Sequence, residues 1–255
     1  MIDQVRFYDK SWAFIGVKNE EQSPDGEILT DEISRITTIE AWSLRSSAIA
    51  GGVCAAVKMS WMARRETTRA EDLAYALMGL FDVNMPLLYG EGHKAFRRLQ
   101  LEIIKQSEDD SIFAHSLPAN AGSIGPLKFD GILANGPWSF MRSGNVRTDA
   151  NPLQARIDLE EQWRPPYSTT NRGLALHLAK TEVASFRDHY PYRDLEYRLK
   201  CVTKDPGNPP CHILIWLAYS DAWGTFRVQA TKLGPSPKLH EEPGHIETQC
   251  IYVQL

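Results

Sequence analysis

Arg64, Arg65 and Arg69 bring three cations to the start of an apolar, helix-spaced run in "RRETTRAEDLAYALMGLF". A helix N-terminus already carries positive potential, so cations gathered there are the chemistry of an anion or phosphate site. Lys94 adds a fourth candidate, behind the "GEG" of Gly90, Glu91 and Gly92. That spacing is neither a P-loop nor a dinucleotide fingerprint, and a plain helix–loop–helix connection is the simpler account. The arginines have a simpler account too: pairing with Glu66, Glu71, Asp72 or other carboxylates. No "GxSxG" elbow or "HExxH" pair occurs, and His93 stands by itself beside the glycine loop, so no catalytic residue is assigned. Cys54, Cys201, Cys211 and Cys250 lack the close pairing of a zinc site, and the seven histidines do not complete one. No metal is expected, and buried thiols are the reading.

The elements that must position these residues follow from periodicity. Thr68 and Glu71 are spaced as a capping box, in which the threonine oxygen accepts from the Glu71 N–H and the carboxylate returns to the Thr68 N–H. Asp72 adds a second favourable charge, and Leu73, Leu77 and Phe81 make the inner face of a helix near Arg69 to Phe81. After Asn84, Pro86 and the two glycines, Phe96, Leu99 and Ile103 mark a helix from Gly92 to Gln106. Weaker helices are expected from Thr30, as cap with Asp31 and Glu32 behind it, and from Val53 to Ala63, with an irregular stretch over 43–52. "QVRFYD" alternates like a strand, and its nearest strand-like neighbours lie more than a hundred residues on, which implies that the chain begins inside something larger. Beyond Ser107, "SEDDSIFAH" and "LPANAGSIGP" read as linker and loop. Short alternating runs follow over Ala155–Glu160, Leu174–Ala179, Leu195–Val202, His212–Tyr219, Thr225–Ala230 and Gln249–Leu255. The expected fold is therefore α+β. A helical N-terminal half over 1–106 leads through a linker with loops over 107–150. An antiparallel, sandwich-like β region over 151–255 follows.

Composition removes some partners. The 255 residues carry a formal net charge of -4, which leaves no electrostatic footprint for nucleic acid or an anionic membrane. The longest apolar run, Ile213 to Tyr219, is far too short to span a bilayer, and no signal peptide precedes "MIDQVRFYDKSW". A soluble, cytoplasmic protein is expected. At 43% hydrophobic residues the chain has enough apolar content for a sizeable core.

"MSWMARRETTRAEDLAYALMGLFDVNMPLLYGEGHKAFRRLQLEIIKQSEDDSIFAH", Met59 to His115, resembles the distal part of the fungal heterokaryon-incompatibility (HET) domain and the segment after it. The positions that carry the resemblance include Ser60, Trp61, Arg65, Thr67, Thr68, Arg69, Glu71 and Asp72. The "NMPLLYGEG" loop with Asn84, Pro86, Tyr89, Gly90, Glu91 and Gly92 continues it, and "RLQ" and "SIFA" complete it. "VRFYDKSWAFIG" is similar to the strand that closes the family's core, and "TNRGLALHL" to its β-rich extension. The resemblance implies allorecognition and programmed cell death, and a TIR-like α/β core that can cleave NAD. The family's first half, with its "SHTW", "WIDxxCI" and "RGWTLQE" types of segment, does not occur in this sequence. The expectation is thus a truncated, non-catalytic module that binds a protein partner or an intact relative and needs no cofactor. An NAD-cleaving effector completed by a partner and an anion or nucleotide sensor are the alternatives. The family-motif positions are expected to be structural.

Overall fold

The structure is a computed structural model that describes residues 5–18, 27–45, 52–116, 131–148, 167–171, 173–180, 188–189, 192–204, 210–220, 224–235 and 248–253. Helices and antiparallel pairing make it a mixed α+β protein, as expected. The expected strand Ala155–Glu160 lies outside the described residues. The chain divides into two compact units, Met1–Val53 and Cys54–Leu255, whereas the sequence reading sets its boundaries at 106 and 150.

In the first unit, β1 (Arg6–Tyr8) has its partner close by. It pairs antiparallel with β2 (Phe14–Val17), which pairs parallel with β3 (Glu27–Ile28). The sequence reading missed this hairpin because β2 contributes "FIGV", too short to show an alternation, with its first two residues exposed and its last two buried. Asp9 builds the turn: its Oδ1 accepts from the backbone N–H of Ser11 and Ala13 at 2.8 and 2.9 Å. Two helices follow, α1 (Thr30–Thr37) and α2 (Ala41–Arg45). Part of the 43–52 stretch is thus helical rather than irregular. Thr30 does not cap α1: it is the first helical residue, and its buried hydroxyl donates to the Lys18 carbonyl instead.

The second unit contains the three helices α3 (Ala55–Met62), α4 (Ala70–Phe81) and α5 (Lys94–Gln106), each within two residues of its expected bounds. Their inward stripes supply Met59, Leu77, Phe96 and Leu99 to the core, all at most 2% exposed. The β region follows β4 (Val146–Thr148), β5 (Ser168–Thr170), β6 (Gly173–Lys180), β7 (Asp188–His189), β8 (Tyr192–Thr203), β9 (Cys211–Ser220), β10 (Gly224–Pro235) and β11 (Thr248–Val253). These form one sheet in the order β4-β8-β9-β10-β11-β6-β5, not two facing sheets. A further β6–β8 pairing, Ala179 opposite Arg198, closes the ladder β8-β9-β10-β11-β6 on itself, and the β10–β11 step is parallel. Closure removes edges that would otherwise pair with other chains.

The segment read as a linker is where helices and sheet meet. "DSIF" forms a 3₁₀ helix over Asp110–Phe113, and residues 110–115 are buried. Asp109 caps two N-termini at once. One carboxylate oxygen accepts from the Ala55 N–H at 2.6 Å, and the other from the Ser111 N–H at 2.9 Å. The Ser111 hydroxyl then accepts from the Ala56 N–H at 3.0 Å. Asp110 turns the other way and takes the Tyr167 hydroxyl and, at 3.0 Å, the Lys200 N–H of β8. A second 3₁₀ helix, Pro137–Phe140, packs against α3.

Candidate functional site

The motif residues converge on the connection between α4 and α5. Glu71 and Asp72 occupy the first turn of α4, and Tyr75 lies one turn further on. The capping box is absent: the residue before α4 is Arg69, with no side-chain cap, and the Thr67 hydroxyl donates to the Arg69 carbonyl at 2.5 Å. Glu71 is drawn elsewhere. It is 6% exposed, and one carboxylate oxygen accepts from the Gly90 N–H at 2.7 Å and the Gly92 N–H at 2.9 Å. The Gly92 bond, then those of Glu71's own N–H and Gly90, holds its pKa below the usual glutamate value. Both glycines sit at positive φ, +99° and +59°, a conformation that L side chains rarely adopt, and both amides reach the one carboxylate oxygen. A phosphate cradle at "GEG" would need those same N–H groups, and an internal carboxylate already fills them.

Tyr89, Arg69, Tyr75 and Arg98 complete the clamp. Tyr89 donates to Asp72 at 3.1 Å, which pushes its phenol pKa up. Its ring is covered by the Arg69 guanidinium at 4.7 Å and meets Tyr75 edge-on at 5.6 Å. The Tyr75 hydroxyl donates to the Leu88 carbonyl at 3.0 Å and accepts from the Leu88 N–H at 2.8 Å. Arg98 of α5 grips Glu91, with Nε at 3.0 and 3.1 Å from its two oxygens, and donates to the Pro86 carbonyl at 2.8 Å. Tyr75 was absent from the sequence reading, and Arg98 entered it only as part of the "RLQ" motif, with no role assigned. Its place off the apolar stripe, which Arg97 shares, gave no hint of its partner.

The pinned loop shows apolar surface. Leu87, Leu88 and Tyr89 are 55%, 51% and 52% exposed, in succession. Asn84 and Pro86 are exposed beside them, while Trp61 is buried in α3 and Ser60 donates to the Val57 carbonyl within it. The anion candidates do not share one arrangement. Arg69 lies on Tyr89, whereas Arg64, Arg65 and Lys94 are exposed and show no ion pair among the described residues. No group of three or more His, Cys, Asp or Glu there is placed to hold a metal. Cys54 is buried, which together with Asp109 pushes its thiol pKa up, and it donates to the Val146 carbonyl. Lys58 is also buried; its ammonium lies 5.2 Å from the Phe81 ring centre, and burial pulls its pKa down.

Fold and site define an α+β protein that presents a short, partly apolar loop on a hydrogen-bonded polar clamp. In sequence the chain is similar to the Vegetative incompatibility protein HET-E-1 of Podospora anserina, with 40% identity over 111 residues. The aligned stretch is 43% of this chain and 7% of that relative. No family model matches the chain, and no solved structure does. No helix among the described residues is long and apolar enough to cross a membrane.

Proposed function

We propose that this chain acts in vegetative incompatibility as a non-catalytic module that docks a protein partner through the loop 86–89. The partial similarity to HET-E-1 supports the biological setting. The observation that carries the docking role is the loop itself: Leu87 and Leu88 stand more than half exposed, next to the Tyr89 ring, on a backbone that Glu71, Tyr75 and Arg98 fix from inside. Pre-ordering of this kind lowers the entropy lost on association, and tyrosine is among the residue types enriched at interfaces. On this reading the polar motif residues serve the loop, and no cofactor takes part.

The test is binding of the full chain to an intact incompatibility protein, measured with immobilised partner. Changing Leu87→Asp together with Leu88→Asp lowers affinity at least about tenfold, the loss of roughly 1.4 kcal/mol. Unchanged affinity would remove the loop from the interface. Incubation of the same preparation with NAD is the companion measurement, and nicotinamide released by the chain acting by itself would overturn the non-catalytic reading.

A further inference from the structure

We infer that Thr67 is a phosphorylation site for an arginine-directed protein kinase. Arg64 and Arg65 precede it by three and two residues. All three are exposed, in the short connection between α3 and α4 where residues 65–67 have no regular structure. A kinase reads an extended, accessible segment, and an acidic substrate groove needs arginines that are free to enter it. These two are. They make no ion pair among the described residues, and the nearest helix carboxylates are engaged on the loop, Glu71 by Gly90 and Gly92 and Asp72 by Tyr89. The acceptor is accessible too: among the described residues the Thr67 hydroxyl is held through its proton alone, which it gives to the Arg69 carbonyl.

Neighbouring hydroxyls fit less well. Thr68 already bends into α4 and sits one place further from the arginine pair. Thr38 has Arg35 three residues before it, but Arg35 is bound through two nitrogens to Glu32, and Thr38 closes α1 in a left-handed turn at φ 62°.

The reaction is the transfer of the terminal phosphoryl group of ATP. A bond forms between phosphorus and the Thr67 Oγ1 as the bond to the β,γ-bridging oxygen breaks. ADP departs with that electron pair, and the hydroxyl proton passes to the kinase's base. The product places about two negative charges among Arg64, Arg65 and Arg69, ahead of a helix with no side-chain cap. Arg69 then has a competitor to the Tyr89 ring.

The experiment is incubation of the folded full chain with ATP, magnesium and the catalytic subunit of the cAMP-dependent kinase, followed by site mapping by tandem mass spectrometry. One phosphate on Thr67 is expected. Thr67→Val abolishes it, Thr68→Val retains it, and Arg64→Ala with Arg65→Ala lowers the initial rate at least about tenfold, as loss of charge-assisted contacts does. A phosphate mapped to Thr68, Thr38 or elsewhere in place of Thr67 would overturn the assignment. So would labelling confined to a heat-unfolded sample run in parallel, an arginine-independent rate, or no labelling at all.

Discussion

At the scale of single residues, the loop depends on one buried carboxylate. Glu71 takes two glycine amides that would otherwise have no protein partner, so Glu71→Ala lowers Tm and speeds amide exchange at Gly90 and Gly92. The pH dependence has a definite sign. The folded pKa of Glu71 lies below its unfolded one, so its contribution is complete above the usual glutamate range and disappears as pH falls through the lowered value. In an NMR titration the Gly90 and Gly92 amide shifts therefore move with a midpoint below that of an exposed glutamate, and Glu71→Gln removes the transition. Arg98 has a geometric role as well as a charge. Lysine retains the charge but lacks the planar fork that spans Glu91 and the Pro86 carbonyl together. Arg98→Lys is expected to lose about 1–3 kcal/mol in urea unfolding, close to the loss in Arg98→Ala.

At the scale of elements, α3 is capped by a residue from another segment. It has no side-chain cap of its own, and Asp109 supplies one from 54 residues away in the chain. Asp109→Ala takes the acceptor from the Ala55 N–H of α3 and the cap from the following 3₁₀ helix, and should cost about 1–2 kcal/mol, read from the midpoint of chemical unfolding. Asp109→Asn, which retains an acceptor, should recover part of it. This arrangement also marks what sequence can and cannot reveal. The helices α4 and α5 were legible because Leu73 and Leu77, and Phe96, Leu99 and Ile103, repeat at helical spacing whatever surrounds them. The strands β6, β8 and β9 were legible as short alternating runs between turn residues. The capping box at Thr68 and Glu71 was read from local spacing, but the carboxylate found stronger donors 19 residues downstream. "SEDDSIFAH" looked like a linker because its acidic residues are polar one by one; the burial of Asp110 and the half-burial of Asp109 become intelligible only when Ala55, Tyr167 and Lys200 are known to stand opposite. Sequence proximity could place Gly90 and Gly92 before a helix, yet not say that their amides face inward.

At the scale of the whole molecule, the helices that carry the motif and the closed sheet belong to one compact unit. The 3₁₀ helix Asp110–Phe113 touches α3, β4 and β8, and Phe113, Ile112 and Ala114 are at most 2% exposed. A cut at residue 106 would expose that surface and strip Asp109 and Ser111 of the Ala55 and Ala56 amides they accept from. Burial of side chains such as Ile112 and Phe113 contributes about 1.5–3 kcal/mol each, comparable in sum to the net stability of an ordinary domain. The two fragments therefore have opposite expectations. A chain covering residues 54–255 should unfold in one cooperative transition, with fluorescence and far-UV circular dichroism coinciding. A chain covering 107–255 should lack that transition and bind a hydrophobic dye through its uncovered 3₁₀ face. Cooperative unfolding of the shorter piece would mean that the sheet closes without its helices, and that the motif loop rides on a separable element rather than on the core.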